Sequence, residues 1–191
     1  MTATDAGAVI TTPPAFNLRP LQAADATAFH ALRMQALQTH PQAFATSAEE
    51  QATLPLENQA QRLQPSATAW VLGAWVNGQL VGTIGLQRRI PAKLAHKADL
   101  WGVYVHPAQR GLGIAQALLT TTVQHARTML GLQQLQLGVA SHNHAAIALY
   151  QRAGFVRFAV EPRCLCVDGV CYDEDWMLLT LTAPHTPLPN L

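Results

Sequence analysis

The sequence predicts an α/β fold of the α+β kind: a mixed, mostly antiparallel central sheet of about seven strands flanked by about four helices. Three observations predict it. Residues 99–119 pass from an apolar strand through Gly111 and Gly113 into an amphipathic helix. Residues 70–76 and 80–87 are apolar runs joined through Asn77-Gly78, a pair that supplies the positive φ angles of a tight hairpin turn. The segments follow the order strand, helix, helix, three strands, helix, strand, helix, two strands, which places helices on both faces of one sheet.

Each element has its own signal. Residues 1–15 are small and polar, contain Pro13-Pro14, and are expected to form a disordered tail. A single domain is expected over 16–182, with a Pro-rich flexible tail at 183–191. Residues 16–19 open the first strand. Asp25 is a candidate N-cap for a helix carrying Phe29, Leu32, Arg33, Ala36 and Leu37, and His40-Pro41 ends it. Ser47 and Glu50 have capping-box spacing, so a second helix starts near residue 48; Leu54-Pro55 interrupts it and 56–63 resumes it.

After the hairpin, residues 88–98 read as a loop. The strand at 100–105 is stopped by Pro107, which has no N–H to give a ladder. Leu112, Ala115, Leu118, Leu119, Val123 and Ala126 then form one helical stripe. Residues 135–139 make a short strand. Asn143 is a candidate N-cap, 145–153 are strong helix formers, and Gly154 stands at the C-terminal stop. After Phe155 a strand runs to Val160, a cysteine-bearing hairpin follows at the Val167-Asp-Gly-Val170 turn, and a last strand runs from about Tyr172 to Leu181. Cys164, Cys166 and Cys171 cluster there; their spacing fits no standard zinc motif, and Cys164 and Cys166 read as small apolar fillers on one strand face.

Composition excludes several functions. Charged residues make up 12% of the chain and net charge is +1 with histidines neutral, so there is no electrostatic footprint for nucleic acid. No apolar run reaches the roughly 20 residues a membrane span needs. The N-terminus lacks the basic region of a secretory signal, and a cytoplasmic location is expected.

The glycine turn is the chemical clue. A helix start with bare N–H groups and no bulky side chains in front of it suits a phosphate or pyrophosphate. A Walker A loop needs Gly-Lys-Ser/Thr, and the chain has Gly113-Ile-Ala115. A Rossmann fingerprint needs a third glycine or alanine where Gln116 stands, and belongs near a domain's first strand. Arg110-x-x-Gly113-x-Ala115 instead resembles the Gln/Arg-x-x-Gly-x-Gly/Ala signature of the GNAT superfamily of acetyl-coenzyme A-dependent N-acetyltransferases. Asn143-x-x-Ala146-x-x-Leu149-Tyr150-x-x-x-Gly154-Phe155 resembles the second signature of that superfamily at every fixed position. Asn143 and Tyr150 lie close to two helical turns apart, on nearly one face.

The resemblance implies a site. Acetyl-CoA is the implied co-substrate, with its pyrophosphate on the backbone of Arg110, Gly111, Leu112, Gly113, Ile114 and Ala115. The Val103 and Val105 backbone would bond the pantetheine, and the Val103 N–H would stabilise the thioester oxyanion. Asn143 would bond the pantetheine arm or cap its helix. Tyr150 is the implied general acid, protonated at neutral pH. Asp99 is the candidate general base, expected to share a strand face with Trp101, Val103 and Val105. His96 and His106 are alternatives; Glu49, Glu50 and Tyr172 are candidates for the acceptor side. No metal is implied. The expected activity is acetyl transfer to a primary amine of a small molecule or peptide by direct attack in a ternary complex. A non-catalytic acyl-CoA-binding or regulatory domain is the rival. No nucleic-acid or membrane partner is expected, and the protein is expected to be a monomer or homodimer. The acceptor is expected to be chosen by residues 40–63 and the terminal hairpin.

Overall fold

A computed structural model describes residues 15–181. The expected tails lie outside the described residues, apart from Ala15. Seven strands form one sheet: β1 (Asn17–Pro20), β2 (Ala69–Val76), β3 (Gln79–Arg88), β4 (Lys97–Val105), β5 (Gln134–Ala140), β6 (Val156–Val167) and β7 (Val170–Thr180). Their spatial order is β1-β2-β3-β4-β5-β7-β6. Only the central β4–β5 pair is parallel. The helices are α1 (Ala26–Thr39), α2 (Ala48–Thr53), α3 (Leu56–Arg62), α4 (Ile114–Thr128) and α5 (His144–Arg152). The break at Leu54-Pro55 separates α2 from α3 completely, which gives five helices where about four were expected.

The sheet is covered on both sides. Leu72, Ile84, Leu86, Leu100 and Leu135 pack with α4 residues Ile114, Leu118 and Leu119 in the larger core. On the opposite face Leu21, Phe29, Leu32, Ala36, Leu63, Val71 and Tyr104 form the second core, under α1 and α3. Strands β2 and β3 are therefore buried on both faces, which explains their continuous apolar runs.

Local signals hold where the chemistry is short-range. Ser47 Oγ accepts from Glu50 N at 3.1 Å and Glu50 returns the bond to Ser47 N at 2.8 Å. Asn77 and Gly78 both take positive φ in the β2–β3 turn. Two expectations are corrected. Asp25 bonds no N–H of α1: its carboxylate accepts from Gln22 N at 2.9 Å and from both Arg19 Nη atoms at 2.7 Å, and the Arg19 bond holds it below the usual carboxylate range. Cys166 is exposed and lies directly opposite Cys171, to which it is disulfide-bonded. Cys164 donates to the Glu174 carboxylate at 3.2 Å, and burial together with Glu174 and Glu161 pushes its thiol up to about 12. A bulge between Glu161 and Leu165 resets the pairing just before these cysteines, so they bond across the hairpin instead of filling a core.

Gly85 faces Trp101 across β3–β4, and a Cβ there would overlap the indole. Gly85→Ala is expected to cost about 1–3 kcal/mol through overpacking. Urea denaturation measures this; an unshifted midpoint would show that the indole moves aside freely.

Candidate active site

The site begins where the sheet comes apart. β4 pairs with β5 only through Lys97, Ala98 and Asp99, against Gln134, Leu135 and Gln136. Beyond Asp99 the strand bulges: Gly85 opposes Trp101 and Thr83 opposes Tyr104, so Ile84 alone faces Gly102 and Val103. Gly102 sits at φ +61, a conformation that L side chains resist. Thr83 Oγ1 pins the bulge by donating to Gly102 O at 3.0 Å.

The extra residue changes which way the side chains face. Trp101 packs on Phe29 of α1, with ring centroids 6.4 Å apart. Val103 and Val105 pack into the core under α4, and Tyr104 turns to the α1 side. The expected shared face of Asp99, Trp101, Val103 and Val105 is thus corrected by the bulge. His106 N donates to Val81 O on the β3 side at 2.8 Å. By alternation the Val103 and Val105 N–H groups aim at the side that β5 has left.

The gap is a cleft of about 510 Å³, walled by Gly102, Val103, Leu137, Val139, Asn143 and Tyr150. It continues past Val105, Arg110 and Ala115 into a second hollow of about 270 Å³ at the start of α4. Gly111 and Gly113 line that hollow with φ +79 and +77, and no atom comes within 4 Å of where a Cβ on either would stand. The first α4 bond runs from Ala117 N to Gly113 O at 3.0 Å, leaving the N–H groups of Gly113, Ile114, Ala115 and Gln116 without a backbone acceptor. Unpaired donors, the positive end of the helix and an absence of side chains make an anion port. The Ile114 and Leu112 side chains turn to the core, so their backbone is what the port can use.

Arg110 reaches back from the port. Its Nε donates to Val105 O at 3.2 Å, and Nη2 lies 2.8 Å from His40 Nε2. Burial and then the Arg110 charge lower the pKa of His40, which keeps Nε2 free to accept this bond. Arg152, in the last turn of α5, also lines the port. Sequence reasoning passed over it, since a basic residue at a helix C-terminus is ordinary dipole compensation.

Tyr150 is 5% exposed and lines the cleft; burial pushes its phenol well above the usual tyrosine value. Asn143 also lines the cleft, and its Oδ1 caps α5 by accepting from Ala146 N at 3.2 Å. The other expected residues are not brought together. Asp99 lies on the paired stretch of β4, outside the cleft lining, in an ion pair with Arg89 at 2.7 Å. Arg89 also donates to Gln136 at 2.8 Å. His106 Nδ1 accepts from Ala108 N, and His96 offers its carbonyl to Gln133 and Gln134. Glu50 is spent on the α2 cap, Glu49 is exposed, and Tyr172 stacks obliquely on His142. The imidazoles that line the cleft are His40 and His142.

The described residues thus form a seven-stranded sheet opened at its central parallel pair, with unpaired helix N–H groups at one end of the gap. The acetyltransferase (GNAT) family profile matches residues 32–155, and the chain belongs to that family. It is similar to mycothiol acetyltransferase of Geodermatophilus obscurus, 30% identical over 128 residues, covering 65% of this chain and 41% of the relative. It is also similar to the L-amino acid N-acyltransferase MnaT of Escherichia coli, 35% identical over 85 residues, covering 44% and 49% respectively. The chain thus spans less than half the length of these curated relatives. Among solved structures, a Salmonella typhimurium protein described as an acetyltransferase, with its cofactor acetyl-CoA, superposes with a TM-score of 0.78 at 24% identity, covering 92% of this chain and 99% of that one.

Replacing Arg152 with glutamine is expected to weaken coenzyme A binding about tenfold, the scale of one charge-assisted hydrogen bond, and to flatten its salt dependence. Titration calorimetry at two ionic strengths measures both; unchanged affinity would remove Arg152 from the port.

Proposed function

We propose that the protein transfers the acetyl group of acetyl-CoA to a primary amine of a small molecule or peptide by direct attack in a ternary complex. The observation that carries this reading is the continuity of the port, the opened β4–β5 gap and Tyr150. Coenzyme A fits the residues present: a diphosphate suits the free N–H groups of Gly113 to Gln116, and a pantetheine amide suits the Val103 and Val105 backbone. The Val103 N–H would stabilise negative charge on the thioester oxygen as the amine attacks.

Tyr150 would donate a proton to the departing thiolate. Its raised pKa keeps the hydroxyl protonated further into alkaline solution than an ordinary phenol. The bond between Asp99 and Arg89 speaks against Asp99 as the base that frees the amine. His142 lines the cleft, as does His40, whose Nε2 is engaged by Arg110, and a neutral imidazole there could take the proton the amine loses. A cytoplasmic location agrees with the absence, among the described residues, of any helix long and apolar enough to cross a membrane.

Tyr150→Phe is expected to lower kcat by about a hundredfold or more while acetyl-CoA affinity stays within about twofold. Thiol release against an amine panel, with calorimetry alongside, measures both; unchanged kcat would remove Tyr150 as the acid. Thiol release from no amine at all, with acetyl-CoA still bound, would favour a binding domain.

Asp99→Asn is expected to leave the pH dependence of kcat/KM in place, whereas replacing the cleft base with glutamine, His40 or His142, erases its acidic limb. Because the amine needs an unprotonated base, activity rises with pH through the pKa of that group. A limb lost in Asp99→Asn would restore Asp99.

A further inference from the structure

The face of β4 opposite the port carries positive charge that no carboxylate among the described residues balances. Arg33, half-buried on α1, stacks over the Phe44 ring at 4.6 Å. Its Nη1 lies 4.0 Å from where a Cβ on Gly102 would stand. Arg62, the last residue of α3, stacks over Trp101 at 3.8 Å. Among the described residues the ion pairs are Arg19–Asp25, Arg89–Asp99 and Arg157–Asp175. Among the described residues no carboxylate forms an ion pair with Arg33 or Arg62. Burial, with a smaller contribution from the charge of Arg62, brings Arg33 down to about 10. Aromatic faces hold and partly desolvate such groups but do not neutralise them.

Their position matters as much as their charge. Phe44, Trp101 and Gly102 line the cleft, and the two guanidinium groups, themselves outside its lining, back these residues on the α1–α3 side. The port at the start of α4 lies on the other side of the sheet, where coenzyme A phosphates would sit. The bulge at Gly102 separates the two and leaves no side chain between Arg33 and the strand. A planar oxyanion presented there can take paired N–H bonds from a guanidinium fork and offset both charges.

We infer that Arg33 and Arg62 form an anion subsite for the acceptor, and that the acceptor is an amine carrying a carboxylate, as an α-amino acid does. In an α-amino acid the amine is attached to the carbon next to the carboxylate, so holding the carboxylate at Arg33 presents the nitrogen beside Gly102 and Val103. A second ammonium group in the acceptor would be repelled, so diamines bind poorly. The inference rests on the acetyl transfer proposed above.

Two measurements test it, one of them independent of turnover. In the first, NMR follows the Arg33 and Arg62 Nε–H signals, assigned with Arg33→Lys and Arg62→Lys. The full chain is titrated with N-acetylglycine and N-acetylphenylalanine and with their analogues lacking the carboxylate, N-methylacetamide and N-phenethylacetamide. Saturable shifts at both arginines with the acids, and binding at least tenfold weaker with the neutral amides, support the subsite. Equal binding, or no shift at either arginine, overturns it whether or not the protein transfers acetyl groups. In the second, amino acids and their decarboxylated amines are compared as acceptors. A preference of tenfold or more in kcat/KM for the acids, carried by KM and reduced to within twofold by Arg33→Met, supports the inference. A preference that survives in Arg33→Met overturns it. If calorimetry shows no acetyl-CoA binding, the proposed transfer fails and the NMR result alone decides the subsite.

Discussion

Strand β4 pairs with β5 through Asp99 and then leaves it, and every functional feature of the chain depends on that separation. A parallel pair in the middle of a sheet normally saturates its backbone. Here one inserted residue, tolerated because Gly102 takes a left-handed conformation, bends the strand away. The N–H groups that β5 no longer meets are left without that strand's acceptors, and the space between the strands becomes the cleft. The rest of the sheet holds the two halves in place, since β3 is paired along both neighbours and buried on both faces.

Electrostatics then gives the gap a direction. The head of α4 offers unpaired donors and a helix dipole at one end. Arg33 and Arg62, in no ion pair among the described residues, offer positive charge on the opposite face of β4. Tyr150 lines the cleft, and burial raises its phenol above the usual tyrosine value. An acyl donor and an acidic acceptor approaching from opposite faces would meet where the strand is bent.

What could be read from sequence depended on the range of the interaction. The Ser47–Glu50 box, the Asn77-Gly78 turn, the Asn143 cap and the glycines of the port are each decided within a few residues, and each was legible. Asp99 was misplaced because strand alternation was carried through Gly102, whose bulge is set by pairing with β3. Asp25 looked like a cap, yet Arg19 arrives from β1 and takes its carboxylate. Cys166 looked like a core filler, yet a register shift in β6 set it across from Cys171. His40, Arg62 and Arg152 were not individually marked as site residues, because basic residues near helix ends are common for reasons unrelated to any site.

By itself the chain's sequence determined the kind of fold, the order of its elements and the glycine-lined head of α4. Those follow from backbone conformation, capping and apolar periodicity, all of them local. Only the tertiary structure decided which residues face the gap, where Asp99 and the cysteines find partners, and that Arg33 and Arg62 stack on Phe44 and Trp101 beside β4. These are outcomes of strand register and of contacts between segments far apart along the chain, and a shift of one residue at Gly102 is enough to change every one that lies on β4.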